Sequence, residues 1–93
     1  MRPVKAGPVQ VFAADLRALR RRCGTPDFTA MARRTGASVD ALSDAVGGEH
    51  LPAWATVAAF VRGCGAQAAD WRGRWEEARD GMLVRIPVPR RPS

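Results

Sequence analysis

Gly36 stands between two short segments that are both patterned as helices, and this arrangement constrains the fold more than any other feature of the chain. The apolar residues at helical spacing are Phe28, Met31 and Ala32 before the glycine, and Val39, Leu42, Ala45 and Val46 after it. Glycine adopts a left-handed backbone readily, so the chain turns sharply here. Two helices crossing over so short a turn need a small residue at their closest approach, which Ala32 supplies. The sequence predicts two short helices at about residues 28–47.

Short polar side chains mark where these two helices begin. Asp27 and Ser38 precede them, and oxygens of such side chains accept hydrogen bonds from the free amides of a first helical turn. We therefore expect Asp27 and Ser38 to be N-caps. Gly47–Gly48 is expected to end the second helix.

An amphipathic helix is predicted before this pair, ending at Gly24 and Pro26. Its inward residues recur at steps of three and four; they are Val9, Phe12, Leu16, Leu19 and Cys23. Its other side is strongly basic and carries Arg17, Arg20, Arg21 and Arg22.

Two more helices are predicted after the pair. Pro52 fits the first turn of the fourth helix, and Gly65 ends it. Its inward residues are Trp54, Val57, Ala58, Val61 and Cys64. The fifth helix spans about residues 67–80 and is closed by Gly81. Its inward residues are Ala68, Trp71, Trp75, Ala78 and Met82.

These segments predict an all-α fold, a compact five-helix bundle with three parts. Residues 1–8 form an extended arm, 9–81 the helical domain and 82–93 an extended tail rich in proline and arginine. In the tail, apolar and other residues alternate and two prolines exclude a central strand. An edge strand, a polyproline-type arm and a disordered end all remain open.

Composition narrows the class of protein. The 93 residues are 46% hydrophobic, enough for one packed core, and no apolar run reaches the length of a membrane span. We expect a cytoplasmic protein that does not bind membranes. Cys23 and Cys64 are too few for zinc; we expect small buried thiols, with a disulfide as the alternative. With no catalytic triad or phosphate-binding loop, we predict no enzyme, cofactor, metal or small-molecule substrate.

The net charge of +6 favours nucleic acid as a partner, because a basic surface releases counterions from phosphate. However, 14 of the 15 cations are arginine, a bias typical of a GC-rich coding background. The position of the charge is therefore more informative than its sum.

Taken in order, five short motifs resemble the Cro/repressor-type (XRE) family, specifically a branch common in high-GC bacteria. The motifs are Leu16-Arg17-x-Leu19-Arg20, Met31-Ala32-Arg33-Arg34-Thr35-Gly36, Leu51-Pro52-x-Trp54, Phe60-Val61-Arg62-x-Cys64-Gly65 and Trp71-x-x-x-Trp75. The resemblance covers roughly residues 10–80. It implies a lambda-repressor-like helix-turn-helix fold whose third helix enters the major groove of double-stranded DNA, often as a homodimer.

The resemblance also implies which residues contact DNA, and the protein is expected to be a transcriptional regulator. The expected contacts from the second and third helices are Arg33, Arg34, Ser38, Val39, Asp40, Ser43 and Asp44. Additional contacts with phosphate or a protein partner are expected from Arg20, Arg21, Arg22, Arg90 and Arg91. The chain departs from the branch at Phe28, where the family often carries a glutamine that bonds the DNA backbone.

The acidic third helix supports an alternative function. Between Ser38 and His50 there is no arginine or lysine, whereas Asp40, Asp44 and Glu49 are acidic. Carboxylates repel phosphate, although an aspartate accepts a hydrogen bond from cytosine. The alternative is a degenerate helix-turn-helix that binds a basic protein, or another copy of the chain, through these acids.

Overall fold

The computed structural model describes residues 7–84, with side chains described as far as Gly81. Within that range the chain forms five α-helices and no strand. They are α1 (Pro8–Arg22), α2 (Phe28–Thr35), α3 (Val39–Ala45), α4 (Trp54–Gly63) and α5 (Ala69–Val84). The predicted all-α class is confirmed. Residues 1–6 and 85–93 lie outside the described range, so the arm and most of the tail stay predictions.

The helices pack as two connected groups. Helix α1 packs on α5, while α2 and α3 pack on each other and on α4, and α4 also packs on α5. The two groups share one core, whose most buried large residues are Leu16, Met31, Leu42, Val57, Phe60 and Val61. Burying such side chains contributes about 1.5–3 kcal/mol each and is the main force holding the helices together.

Helix α4 is the centre of the bundle. Besides the predicted Val57, Ala58 and Val61, it buries Ala59 and Phe60, which are not on the predicted stripe. The helix is apolar around nearly its whole circumference, and such a helix is buried on all sides rather than along one stripe. The single apolar stripe that the spacing predicts is therefore only part of the buried surface of α4.

Most predicted ends of the first three helices are confirmed. The Gly36 backbone is left-handed (φ 80°), and its N–H donates to the Ala32 carbonyl at 2.8 Å. Ser38 Oγ accepts from the Ala41 N–H at 3.1 Å, as an N-cap should. Asp27 occupies the N-cap position of α2 with extended backbone, but its side chain makes no capping hydrogen bond, so that part of the prediction is wrong.

Helix α4 begins later than predicted. Its N-cap is Ala53 and its first residue is Trp54, so Pro52 lies outside the helix. The carbonyl of Pro52 accepts from the Trp75 indole Nε1–H at 2.8 Å. This bond to α5 holds the carbonyl outside the helical ladder.

Helix α5 runs through Gly81 to Val84, so the prediction that Gly81 closes the helix is wrong. A Cβ at Gly81 would lie 3.0 Å from Pro8 Cγ, so this glycine allows the start of α1 to approach α5 closely. Residues 82–84 are consequently helical and not part of an extended tail.

Two side chains predicted to point inward are exposed. Val39, at the first position of α3, retains 40% of its accessible surface, because Leu42 and Ala45 take the buried side of this short helix. Cys23 is exposed because it lies past the last turn of α1, at its C-cap. Cys64 is buried as predicted.

Candidate nucleic-acid interface

The segment α2–Gly36–α3 forms two short helices joined by a three-residue turn. The Thr35 hydroxyl donates to the Met31 carbonyl at 2.8 Å and accepts from the Ala37 N–H at 3.2 Å. Together with the left-handed Gly36, these bonds set the direction in which α3 leaves the turn. The orientation of α3 is thus determined by local backbone geometry.

A glycine on a neighbouring helix allows α2 to pack closely against the core. A Cβ at Gly63, in the last turn of α4, would lie 3.3 Å from Thr35 Cγ2 and 3.4 Å from Met31 Cβ. Sequence reasoning placed the small residue of this motif at Ala32 and missed Gly63, which is 28 residues downstream of Thr35. Helical spacing within α2 and α3 gives no signal for a contact with α4.

One side of α3 faces solvent. Its exposed residues are Val39, Asp40, Ser43 and Asp44, whose steps of one, three and four place them on a single helical face. Leu42 and Ala45 anchor the opposite side in the core. We call the four exposed residues the α3 face. All four were predicted contact residues, and the structure places them together.

The α3 face is acidic. Asp40 and Asp44 lie one turn apart, and among the described residues neither forms an ion pair. Glu49, in the loop after α3, is also exposed and unpaired within the same range. Serine is the one hydrogen-bond donor among the side chains of this face.

Adjacent arginines at the end of α2 have different environments. Arg34 Nη1 donates to the Gly63 carbonyl at 2.7 Å, so its guanidinium caps the C-terminal end of α4. Arg33 is exposed and makes no side-chain hydrogen bond to any described residue. Of these two arginines, Arg33 could therefore reach a phosphate without breaking a hydrogen bond to the described residues.

The arginines of α1 are divided in the same way. Arg17 Nη1 donates to the Val46 carbonyl at the end of α3, at 2.6 Å. Arg20 Nε donates to the Pro26 carbonyl at 2.8 Å, and its guanidinium lies 4.1 Å from the centre of the Phe28 ring. Arg20 thus holds the α1–α2 loop and is not brought to the α3 face. Arg21 and Arg22 are exposed. Arg90 and Arg91 lie outside the described residues.

The tryptophans and the arginines of α5 pack on one another. Arg72 lies over the Trp54 and Trp75 rings, at 4.9 and 5.0 Å from their centres, and pairs with Glu76. Arg74 lies 4.4 Å from the centre of the Trp71 ring. Trp71 is buried, and Trp54 and Trp75 are partly buried against the core, so the tryptophans pack inside the bundle as their helical spacing predicts.

The basic excess of the protein lies mainly in its termini. Residues 7–84 contain ten arginines and nine acidic residues, and are therefore nearly neutral. Five of the fifteen cations, and no acidic residue, lie outside this range; they are Arg2, Lys5, Arg85, Arg90 and Arg91. The charge that would attract a polyanion is concentrated on the two ends of the chain.

The described part of the chain contains neither a metal-binding cluster nor a membrane-spanning helix. No group of three or more histidine, cysteine or acidic side chains there is placed to hold a metal ion. None of the helices in the same range is long and apolar enough to cross a membrane.

Five helices arranged around a tight α2–α3 turn, with one face of α3 open to solvent, define the helix-turn-helix class of domain. The helix-turn-helix domain family matches residues 11–80, about three quarters of the chain. The protein belongs to this family, as the sequence motifs had indicated, and the helix-turn-helix is characteristically a DNA-binding unit. No curated protein and no solved structure matches the chain.

Proposed function

We propose that the protein is a transcriptional regulator of the Cro/repressor type, which reads double-stranded DNA with the α3 face. The observation that carries the proposal is the exposure of Val39, Asp40, Ser43 and Asp44 on one side of a helix whose other side is anchored in the core. A helix held this way at the surface fits the major groove of B-DNA.

The side chains of the α3 face suit the edges of bases better than phosphates. Val39 offers an apolar contact to a thymine methyl, and Ser43 donates to or accepts from a base. Asp40 and Asp44 accept from the exocyclic amine of cytosine. Carboxylates repel base edges that carry only hydrogen-bond acceptors, so the acidic α3 face disfavours DNA sequences that present such edges. The α3 face therefore contributes more to the choice of DNA sequence than to the strength of binding.

Affinity must then come from cations away from α3. Arg33 beside the turn and Arg21 and Arg22 at the end of α1 are exposed, and their side chains form no ion pair with the described residues. The five terminal cations supply a further attraction to phosphate. The proposal therefore separates sequence reading, by α3, from phosphate binding, by Arg33, the α1 end and the termini.

The test is fluorescence anisotropy of the full chain with duplexes selected from a random library, and with unselected duplex, over a series of salt concentrations. Eight cations, each contacting one phosphate, predict that log K falls with log salt at a slope of up to about −7. A selected duplex should bind at least about 1,000-fold more tightly than unselected DNA, the lower range for specific regulators. Failure to enrich any sequence, with no binding at low salt, would refute the proposal.

A second candidate is a protein-interaction module, and the observation that favours it is that Asp40, Asp44 and Glu49 form no ion pair with the described residues. These acids match the basic termini, so copies of the chain would associate head to tail. Sedimentation without DNA separates the two functions. Association at low salt that is lost in D40N/D44N protein, together with indifference to DNA, supports this module; a monomer that binds duplex supports the regulator.

A further inference from the structure

The C-terminal end of α3 is held by a side chain from α1. Arg17 Nη1 donates to the carbonyl oxygen of Val46 at 2.6 Å, and Val46 is the C-cap of α3. The last carbonyls of a helix have no partner within the helix, and a cation beside them is favourable. The last turn of α3 contains no basic residue, so the cation comes from 29 positions earlier in the sequence. Arg17 therefore caps α3 from a different helix.

The chain just after α3 also lies against α1. Gly48 is buried, and its backbone is left-handed (φ 81°). A Cβ added at Gly48 would lie 3.7 Å from Gln10 Cγ and 3.8 Å from Ala13 Cβ, which is van der Waals contact. Gln10, Ala13 and Arg17 follow one another at steps of three and four, so they form one stripe along α1. Both the end of α3 and the turn that follows it therefore lie on this stripe.

Arg17 connects two helices that do not pack extensively on each other. The helices that pack extensively on α3 are α2 and α4, and α1 is not one of them. Arg17 is exposed, so replacing it removes the bond to Val46 without removing a side chain from the core. A helix of seven residues, such as α3, has little stability of its own and depends on its contacts with the rest of the protein. Loss of Arg17 should therefore loosen the end of α3 and leave the rest of the bundle intact.

We propose that Arg17 is a positioning residue for the α3 face. The turn at Gly36 sets the direction in which α3 begins, and Arg17 fixes the position at which α3 ends. Asp44 lies two residues before Val46, so a shift of this end changes where its carboxylate meets a base edge. The inference rests on the proposed function for its effect on DNA, whereas the bond to Val46 exists without DNA. Arg17 acts through α3 and not through a contact with phosphate.

The first experiment measures amide hydrogen exchange of the full chain without DNA, by nuclear magnetic resonance. Arg17→Met keeps the aliphatic stem of the side chain and removes the donor. The Val46 and Gly47 N–H groups, whose hydrogen bonds close the end of α3, should exchange about fivefold faster in this variant. The Gly36 N–H, in the turn before α3, should keep its wild-type rate. Arg17→Lys, which retains a cationic donor, should restore most of the protection.

The second experiment measures fluorescence anisotropy with selected and unselected duplex over the same salt series. Arg17→Met should bind the selected duplex about tenfold more weakly, the loss expected when one base contact is misplaced. Its affinity for unselected duplex should stay within about twofold of wild type, and the slope of log K against log salt should not change. Arg22→Ala is the matched control on the same helix. It removes a proposed phosphate contact, so it should weaken binding to both duplexes equally and reduce the slope by about one.

Three results would overturn the proposal. The first is an unchanged exchange rate at the end of α3 in Arg17→Met, which would mean that Arg17 does not hold this helix. The second is an equal acceleration at Gly36, which would mean a general loss of stability. The third is an equal loss of affinity for both duplexes with a slope reduced by about one, which would make Arg17 a phosphate contact. If the wild-type chain enriches no duplex, the proposed function fails, and hydrogen exchange still decides whether Arg17 positions α3.

Discussion

Arg34 at the end of α2 donates to the carbonyl oxygen of Gly63 at the end of α4, at 2.7 Å. Its neighbour Arg33 makes no such bond to the described residues. Two identical side chains, adjacent in a motif shared with a DNA-binding family, therefore have different roles: one holds the scaffold, and the other is available to a partner.

The first prediction tests that difference. Arg34→Ala should lower the free energy of unfolding by about 1–2 kcal/mol, because a charge-assisted hydrogen bond to a helix end is lost. Arg33→Ala should stay within about 0.5 kcal/mol of wild type, as surface substitutions usually do. Urea unfolding followed by circular dichroism measures both. In DNA binding Arg33→Ala should have the larger effect of the two variants. It should reduce the slope of log K against log salt by about one. If the two variants lower the free energy of unfolding equally, Arg34 has no special structural role and the prediction is wrong.

The second prediction concerns the close approach of α4 to α2. Gly63→Ala places a methyl group 3.3 Å from Thr35 Cγ2 and should cost about 1–3 kcal/mol through overpacking. Gly73→Ala is the matched control within α5, since an added Cβ there meets nothing within 4 Å. It should stabilise the protein by about 0.5–1 kcal/mol, as alanine is the better helix former. If both substitutions stabilise the chain in thermal unfolding, the tight α2–α4 contact is not real.

The third prediction tests the cap of α3. Ser38→Ala removes the acceptor for the Ala41 N–H and should destabilise the protein by about 1 kcal/mol. Ser43→Ala, on the exposed side of the same helix, should be neutral or slightly stabilising but should weaken binding to the selected duplex. Chemical denaturation and anisotropy together resolve the two roles. If S43A loses as much stability as S38A, the assignment of the cap to Ser38 and of the DNA contact to Ser43 is wrong.

The fourth prediction concerns the acidity of the α3 face. Asp40→Asn and Asp44→Asn should each strengthen binding to unselected duplex by about fivefold at low salt, because a charge opposed to phosphate is removed. Binding to the selected duplex should instead weaken if the carboxylate reads cytosine. Glu77→Gln, exposed on α5, is the control and should change neither affinity. The proposed reading role fails if the aspartate variants strengthen binding to every sequence equally.

The fifth prediction is a loss of stability at alkaline pH. The pKa of Cys64 is raised from 9.0 to about 12 in the folded chain, chiefly by burial, so the folded state keeps a proton that the unfolded state loses. Unfolding free energy should therefore hold below pH 9 and decline above it by up to about 1.4 kcal/mol per pH unit. Few other side chains lose a proton in this pH range, because the chain has one lysine and no tyrosine. Denaturation of reduced protein between pH 8 and 11 measures the slope, which Cys64→Ala should remove.

Local patterns in the sequence predicted what depends on local geometry. Gly36 and Ser38 mark the turn and the cap correctly, because a left-handed backbone and a first-turn amide each require particular residue types nearby. The outward positions of Asp40, Ser43 and Asp44 follow from helical periodicity.

The errors arise where a distant contact decides the outcome. Gly81 reads as a helix end, yet it lies inside α5, where the lack of a side chain leaves room for Pro8. Pro52 reads as a first-turn residue, but its carbonyl accepts from Trp75 and stays outside α4. Neither partner is within a helical turn of the residue it affects, so no local spacing reports the contact.

The pair of helices around Gly36 was determined by the sequence alone, because turn, cap and apolar spacing act within a few residues of each other. Tertiary structure alone decided which of two adjacent arginines bonds to the scaffold and which of the two thiols is buried. Arg34 and Arg33 differ only in what lies opposite them, and Cys64 is buried whereas Cys23 is exposed, although both are the C-caps of their helices. Such relationships depend on packing between distant segments, which residue type and spacing do not encode.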